Sequence, residues 1–98
     1  MRVVWSARAR TRLAEIHDYI AQSSRERALG VVERLLTRSE QLVEAPRSAP
    51  RLQSFVDEEV RELLERPFRL VFRVEPDQVV ILTVKHYRQR LIERPMDF

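Results

Sequence analysis

The chain contains no cysteine, which excludes disulfides, thiolate catalysis and cysteine-type zinc sites. Its single glycine, Gly30, excludes the glycine-rich loops that cradle nucleotide phosphates. The two histidines, His17 and His86, fall on different predicted elements and cannot form a paired metal motif, so neither a metal nor another cofactor is expected. No apolar run approaches the roughly 20 residues that span a bilayer, and the N-terminus lacks the apolar core of a signal peptide. The expectation is a cytoplasmic protein with no membrane partner. Lysine is nearly absent as well, since all but Lys85 of the 18 basic residues are arginine. A codon bias towards arginine explains most of that excess, so an arginine needs positional support before it counts as functional.

At 98 residues, 44% of them hydrophobic and 34% charged, the chain has the size and composition of one soluble globular domain, expected to span residues 1–98. A net charge of +3 favours an acidic partner without identifying nucleic acid.

The clearest pattern lies in residues 67–90. Phe68, Leu70, Phe72 and Val74 alternate with Arg69, Val71, Arg73 and Glu75, the period of a strand with one buried face. Residues 75–78 supply a turn around Pro76. Val79, Val80, Ile81, Leu82, Thr83 and Val84 then form an unbroken, mostly β-branched run suited to a central strand. The strand ends in a basic tip, Lys85-His86-Tyr87-Arg88-Gln89-Arg90, the first place to look for function.

Residues 1–5 read as a short strand, with Val3 and Trp5 on one face, ahead of Ser6 as a helix N-cap. Ala9, Leu13, Ile16 and Ile20 make one apolar stripe on a helix over residues 7–22, with Arg8, Arg12 and Glu15 interacting along its surface and His17 on that surface. The S-x-x-E pattern from Ser23 to Glu26 predicts the cap of a second helix, whose buried stripe is Ala28, Val31, Val32, Leu35, Ser39 and Leu42 and which Pro46 ends. Four arginines and four glutamates over residues 24–44 balance, as on a solvated face. Gly30 inside this helix suggests a close approach of its neighbour. Residues 45–54 read as an exposed connection, with Arg47 and Arg51 as surface residues. Residues 55–64 read as a weaker strand, with a helical turn as the alternative at the glutamate-rich start, stopped by Pro67.

The order is strand, two helices, three strands. It predicts an α+β fold with an antiparallel helical hairpin packed on one face of a small antiparallel sheet. Alternation then places Arg61, Arg69 and Arg73 on the partly open second face or its rim.

The frame Val4-Trp5-Ser6 with Ala9, then Leu13, Ile16 and Tyr19-Ile20, then Arg61-Glu62-Leu63, Phe68-Arg69-Leu70-Val71-Phe72 and Val80-Ile81-Leu82 with Val84 and His86 resembles the RelE/ParE superfamily of toxins from bacterial type II toxin–antitoxin systems. The resemblance covers nearly the whole chain and implies the same fold, an antitoxin as partner in a hetero-oligomer, and one of two activities. The RelE-type branch is a ribosome-dependent endoribonuclease that cleaves mRNA. That chemistry needs a base, a cation at the scissile phosphate and an acid at the leaving oxygen, for which Arg69, His86, Tyr87 and Arg88 are the candidates. The lysines that many such nucleases carry before the hairpin are replaced here by Glu62 and Glu65. The ParE-type branch inhibits DNA gyrase by binding it, and Tyr19-Ile20 and the Val84 to His86 ending resemble that branch more closely. For it the candidate target- or antitoxin-binding residues are Arg61, Arg69, Arg73, His86, Arg88 and Arg90. The plain alternative for His86 and Tyr87 is a pair capping the strand end, and for Arg69 a structural ion pair with Glu62 or Glu65.

Overall fold

A computed structural model describes residues 1–86. Its elements are β1 (Arg2–Trp5), α1 (Ala7–Ala21), α2 (Arg25–Glu40), β2 (Val60–Glu65), β3 (Phe68–Val74) and β4 (Gln78–His86), with short 3₁₀ turns at Gln41–Val43 and Pro46–Ser48. The expected α+β order therefore holds. Spatially the strands run β1-β4-β3-β2, which makes β4 an inner strand, as its unbroken apolar run requires. The sheet is mixed where a fully antiparallel one was expected, because β1 lies parallel to β4, with Val4 opposite Val80. The helical hairpin carries the chain from β1 to β2 at the opposite edge, and the β2-β3-β4 meander then returns to lay β4 beside β1.

Ser6 caps α1 by accepting from the Ala9 amide at 3.0 Å. The cap of α2 is Ser24, one residue later than the S-x-x-E pattern indicates, and its hydroxyl accepts from the Arg27 amide. Ser23 is spent on finishing α1, its amide donating to the Ile20 carbonyl. Helix α2 stops at Glu40, and Pro46 opens a separate 3₁₀ turn. Gly30 marks no close approach, since a Cβ built there meets nothing within 4 Å.

The helices cover one face of the sheet. Ala9, Ile16, Leu35, Phe68, Leu70 and Phe72 lead that core, with Val79, Ile81 and Val84 from β4. Trp5 is held within it by a buried polar link, its Nε1 donating to Ser39 Oγ at 3.1 Å while that hydroxyl donates to the Leu36 carbonyl. Residues 45–54 depart from the sequence reading. They fold as a strap with the residues that follow, burying Leu52 and Phe55 against Val60, Val71, Val80 and Leu82 in a second, smaller core. Residues 55–59 are neither strand nor helix. Among the described residues, the second face is thus roofed near the β3–β4 turn, and the strap does not reach the opposite end.

A bulge in β4 decides which residues face where. Val71 stands opposite Thr83 and Phe72 opposite Ile81, so Leu82 is the extra residue. Val79 and His86 are seven positions apart and would lie on opposite faces of a regular strand. The extra residue reverses that parity, bringing Val84 and His86 to the helix side and leaving Lys85 on the strap side.

Candidate binding surface

Two adjacent rows cross the end of the sheet that the strap does not reach. In one, Lys85, Arg69 and Leu64 stand opposite one another on the strap face; in the next, His86, Phe68 and Glu65 do so on the helix face. Arg69 and His86 therefore sit on opposite sides, and the constellation considered for phosphodiester cleavage is not assembled from them. Tyr87, Arg88 and Arg90 lie outside the described residues.

Arg69 Nη1 pairs with Glu62 Oε1 at 2.9 Å, the structural partnership weighed above. Exposed Leu64 flanks the pair.

Arg61 is not on the open face. It stands opposite Phe72 on the helix side of edge strand β2, and only 16% of its side chain is exposed. Its guanidinium donates to Glu59 Oε2 at 2.9 Å and to the carbonyls of Arg47 and Ala49 at 3.1 and 2.6 Å, fastening the strap. Arg73 is on the strap face as expected but is held by Glu75 at 2.7 Å and Glu58 at 3.4 Å. The Arg61 hydrogen bond, with help from Arg47, holds the Glu59 carboxyl below its ordinary range. Glu75 is lowered likewise, first by the Gln78 amide and then by Arg73. These arginines serve the fold, and alternation along the strands cannot reveal that role because their partners sit in the strap and the turn.

On the helix face His86 meets Phe68 edge-on, with ring centroids 5.9 Å apart at 79°. This pair closes one end of a groove of about 520 Å³ between α1, the start of α2 and the β2–β3 turn. Ile16, Ile20, Phe68 and Pro67 give it an apolar wall, and Arg12, Glu15 and Arg27 a charged rim. Tyr19 stands at its mouth with 76% of its surface exposed. Arg12 reaches across to the β4 end, donating to the Val84 carbonyl, and pairs with Glu15 at 2.8 Å. Among these, the sequence reading singled out only His86 as functional. The available signal was Tyr19, an aromatic residue lying beside the stripe and not in it. Among the described residues there is no group of three or more histidines and carboxylates able to hold a metal ion. Nor is any helix among them long and apolar enough to cross a membrane.

The family model described as "ParE toxin of type II toxin-antitoxin system, parDE" matches residues 3–91. The chain belongs to the ParE toxin family. A solved structure titled "Chromosomal ParDE TA system from P. aeruginosa" is similar to this ParE-type chain at 30% identity with a TM-score of 0.72, over 88% of this chain and 95% of that one. No curated protein matches it. Membership makes the chain a ParE-type toxin of a type II toxin–antitoxin system.

Proposed function

We propose that this toxin acts in the cytoplasm by binding and inhibiting DNA gyrase, and that a cognate antitoxin neutralises it by forming a hetero-oligomer with it. The observation that carries the reading is the ParE family match over residues 3–91. The geometry supports a binder over a nuclease, because Arg69 is committed to Glu62 and lies across the sheet from His86. General acid–base cleavage needs its groups within hydrogen-bond reach of one phosphodiester. The surface instead offers a groove and a sheet end, shapes that suit protein recognition.

The test is a supercoiling assay with purified gyrase. The toxin should abolish supercoiling, and the antitoxin, sought in the neighbouring reading frame, should restore it. Ribosome-dependent mRNA cutting that disappears with Arg69→Ala or His86→Ala would overturn the reading in favour of the RelE-type activity.

A further inference from the structure

Besides the stripe it buries, helix α2 carries a second one that is open to solvent. Leu29 and Leu36 lie seven positions apart, two turns along one side of the helix, and are 55% and 40% exposed. Arg25 stands four positions before Leu29 and Glu40 four after Leu36, which puts both exposed charges on that same side. Neither makes an ion pair within the described residues. Both also oppose their own helix: Arg25 is its first residue and Glu40 its last, so a cation sits at the positive end of the dipole and an anion at the negative end. The stripe has the same spacing read from either end, with the sign of the charge reversed.

We propose that this stripe pairs with the same stripe on a second copy of the chain, the two α2 helices lying antiparallel about a twofold axis. Leu29 of each copy then packs on Leu36 of the other, and Arg25 of each reaches Glu40 of the other. Each Arg25 also comes to the C-terminal, negative end of the other helix, so charges that are unfavourable within one chain become favourable between two. A twofold contact demands this self-complementarity, because one surface has to serve both sides. Charge selects the occupant: a segment of a single sign would match one end of the stripe and be repelled at the other, and a parallel pairing would set Arg25 beside Arg25. One helix per copy makes a small interface, so the pairing is weak and reversible. It rests on neither gyrase nor an antitoxin and goes beyond the proposed function.

Sedimentation equilibrium of the purified full chain tests the pairing and should show a monomer–dimer equilibrium. Arg25→Glu or Glu40→Arg turns both ion pairs between the copies into repulsions and should weaken dimerisation about fivefold or more. Each of these changes places the favoured sign at a helix end, so a lost dimer cannot be put down to a lost helix. The two together reverse the pattern and should recover most of the loss. Leu36→Ser should weaken dimerisation about tenfold or more, as an anchor residue does, with circular dichroism to check that the helices persist. Arg27→Glu, the same charge change off the stripe, should leave it within about twofold. A chain that stays monomeric at the highest soluble concentration would overturn the proposal. So would a dimer indifferent to the single charge changes, or a double change no better than the single ones. A monomeric toxin whose complex with antitoxin is weakened by Leu29→Ser would assign the stripe to the antitoxin and equally overturn it.

Discussion

Arg69 and His86 occupy neighbouring rows of the same two strands yet leave the sheet on opposite faces, Arg69 opposite Lys85 and His86 opposite Phe68. The cause is one residue. Without Leu82 as a bulge, His86 would share neither the core face of Val79 nor the groove lined by Ile16 and Ile20.

Two deletions test that role. Removing Leu82 takes out the extra residue and keeps Val84 and His86 on the helix side, so the expected cost is one buried leucine, about 1.5–3 kcal/mol. Removing Val84 keeps the bulge but sends Lys85 into the apolar wall and His86 to the strap face. That should cost distinctly more and abolish the Phe68–His86 contact. Urea unfolding and ring-to-ring NOEs would measure both effects, and equal cost for the two deletions would refute the bulge as the device that sets the faces.

Acid should loosen the strap before it unfolds the helical hairpin. The Glu59 and Glu75 carboxyls are held in the fold below the ordinary glutamate pKa of 4.5, by Arg61 and by Gln78 in first place. Their stabilising contribution is therefore fully present above that value and lost as pH falls through the lower folded values. Glu59→Gln should flatten the acid limb of a stability-against-pH curve while changing its neutral end less than Arg61→Ala does. A mutant whose acid limb stays as steep as that of the parent would contradict this.

Gly30→Ala should stabilise the toxin by about 1 kcal/mol. The position is exposed in the interior of α2, and an added methyl meets no neighbour. A raised urea midpoint with unchanged slope is the expected signature, and a lowered one would mean the site is less open than it is drawn.

Phe55→Ala should cost about 3–5 kcal/mol, the range for a phenylalanine removed from a packed core. Phe55 is only 3% exposed under the second face. Had residues 45–54 and their neighbours been a plain surface connection, the substitution would cost almost nothing, so thermal unfolding decides between the two pictures.

Much of the fold could be read from periodicity. The stripe from Ala9 to Ile20, the alternation from Phe68 to Val74 and the unbroken run in β4 each carry their own signal. The strap carries none, because Ala49, Leu52 and Phe55, three apart in a segment rich in proline and polar residues, match neither a strand nor an extended helical stripe and are buried through tertiary contacts. The bulge hides for a related reason: in an all-apolar run, no polar residue marks the position where alternation slips. The site was half legible. His86 stood out by type and position, whereas Arg27 and Tyr19 become neighbours of it only when the hairpin lays α1 and α2 beside the end of β4. The ion pairs of Arg61 and Arg73, and the place of Arg61 on the helix side, could not be inferred from alternation, since their partners sit in the strap and the turn.

The parallel strand β1 has a consequence for the order in which the molecule is made. Its partner for Arg2 is Gln78, a separation of 76 positions. Strand β1 must wait for β4 before it has a strand of this sheet to pair with. Closing so long a segment carries an entropic toll that local helix formation avoids. The helical hairpin can begin to fold during synthesis, but the sheet that organises both faces is completed only once β4 has emerged.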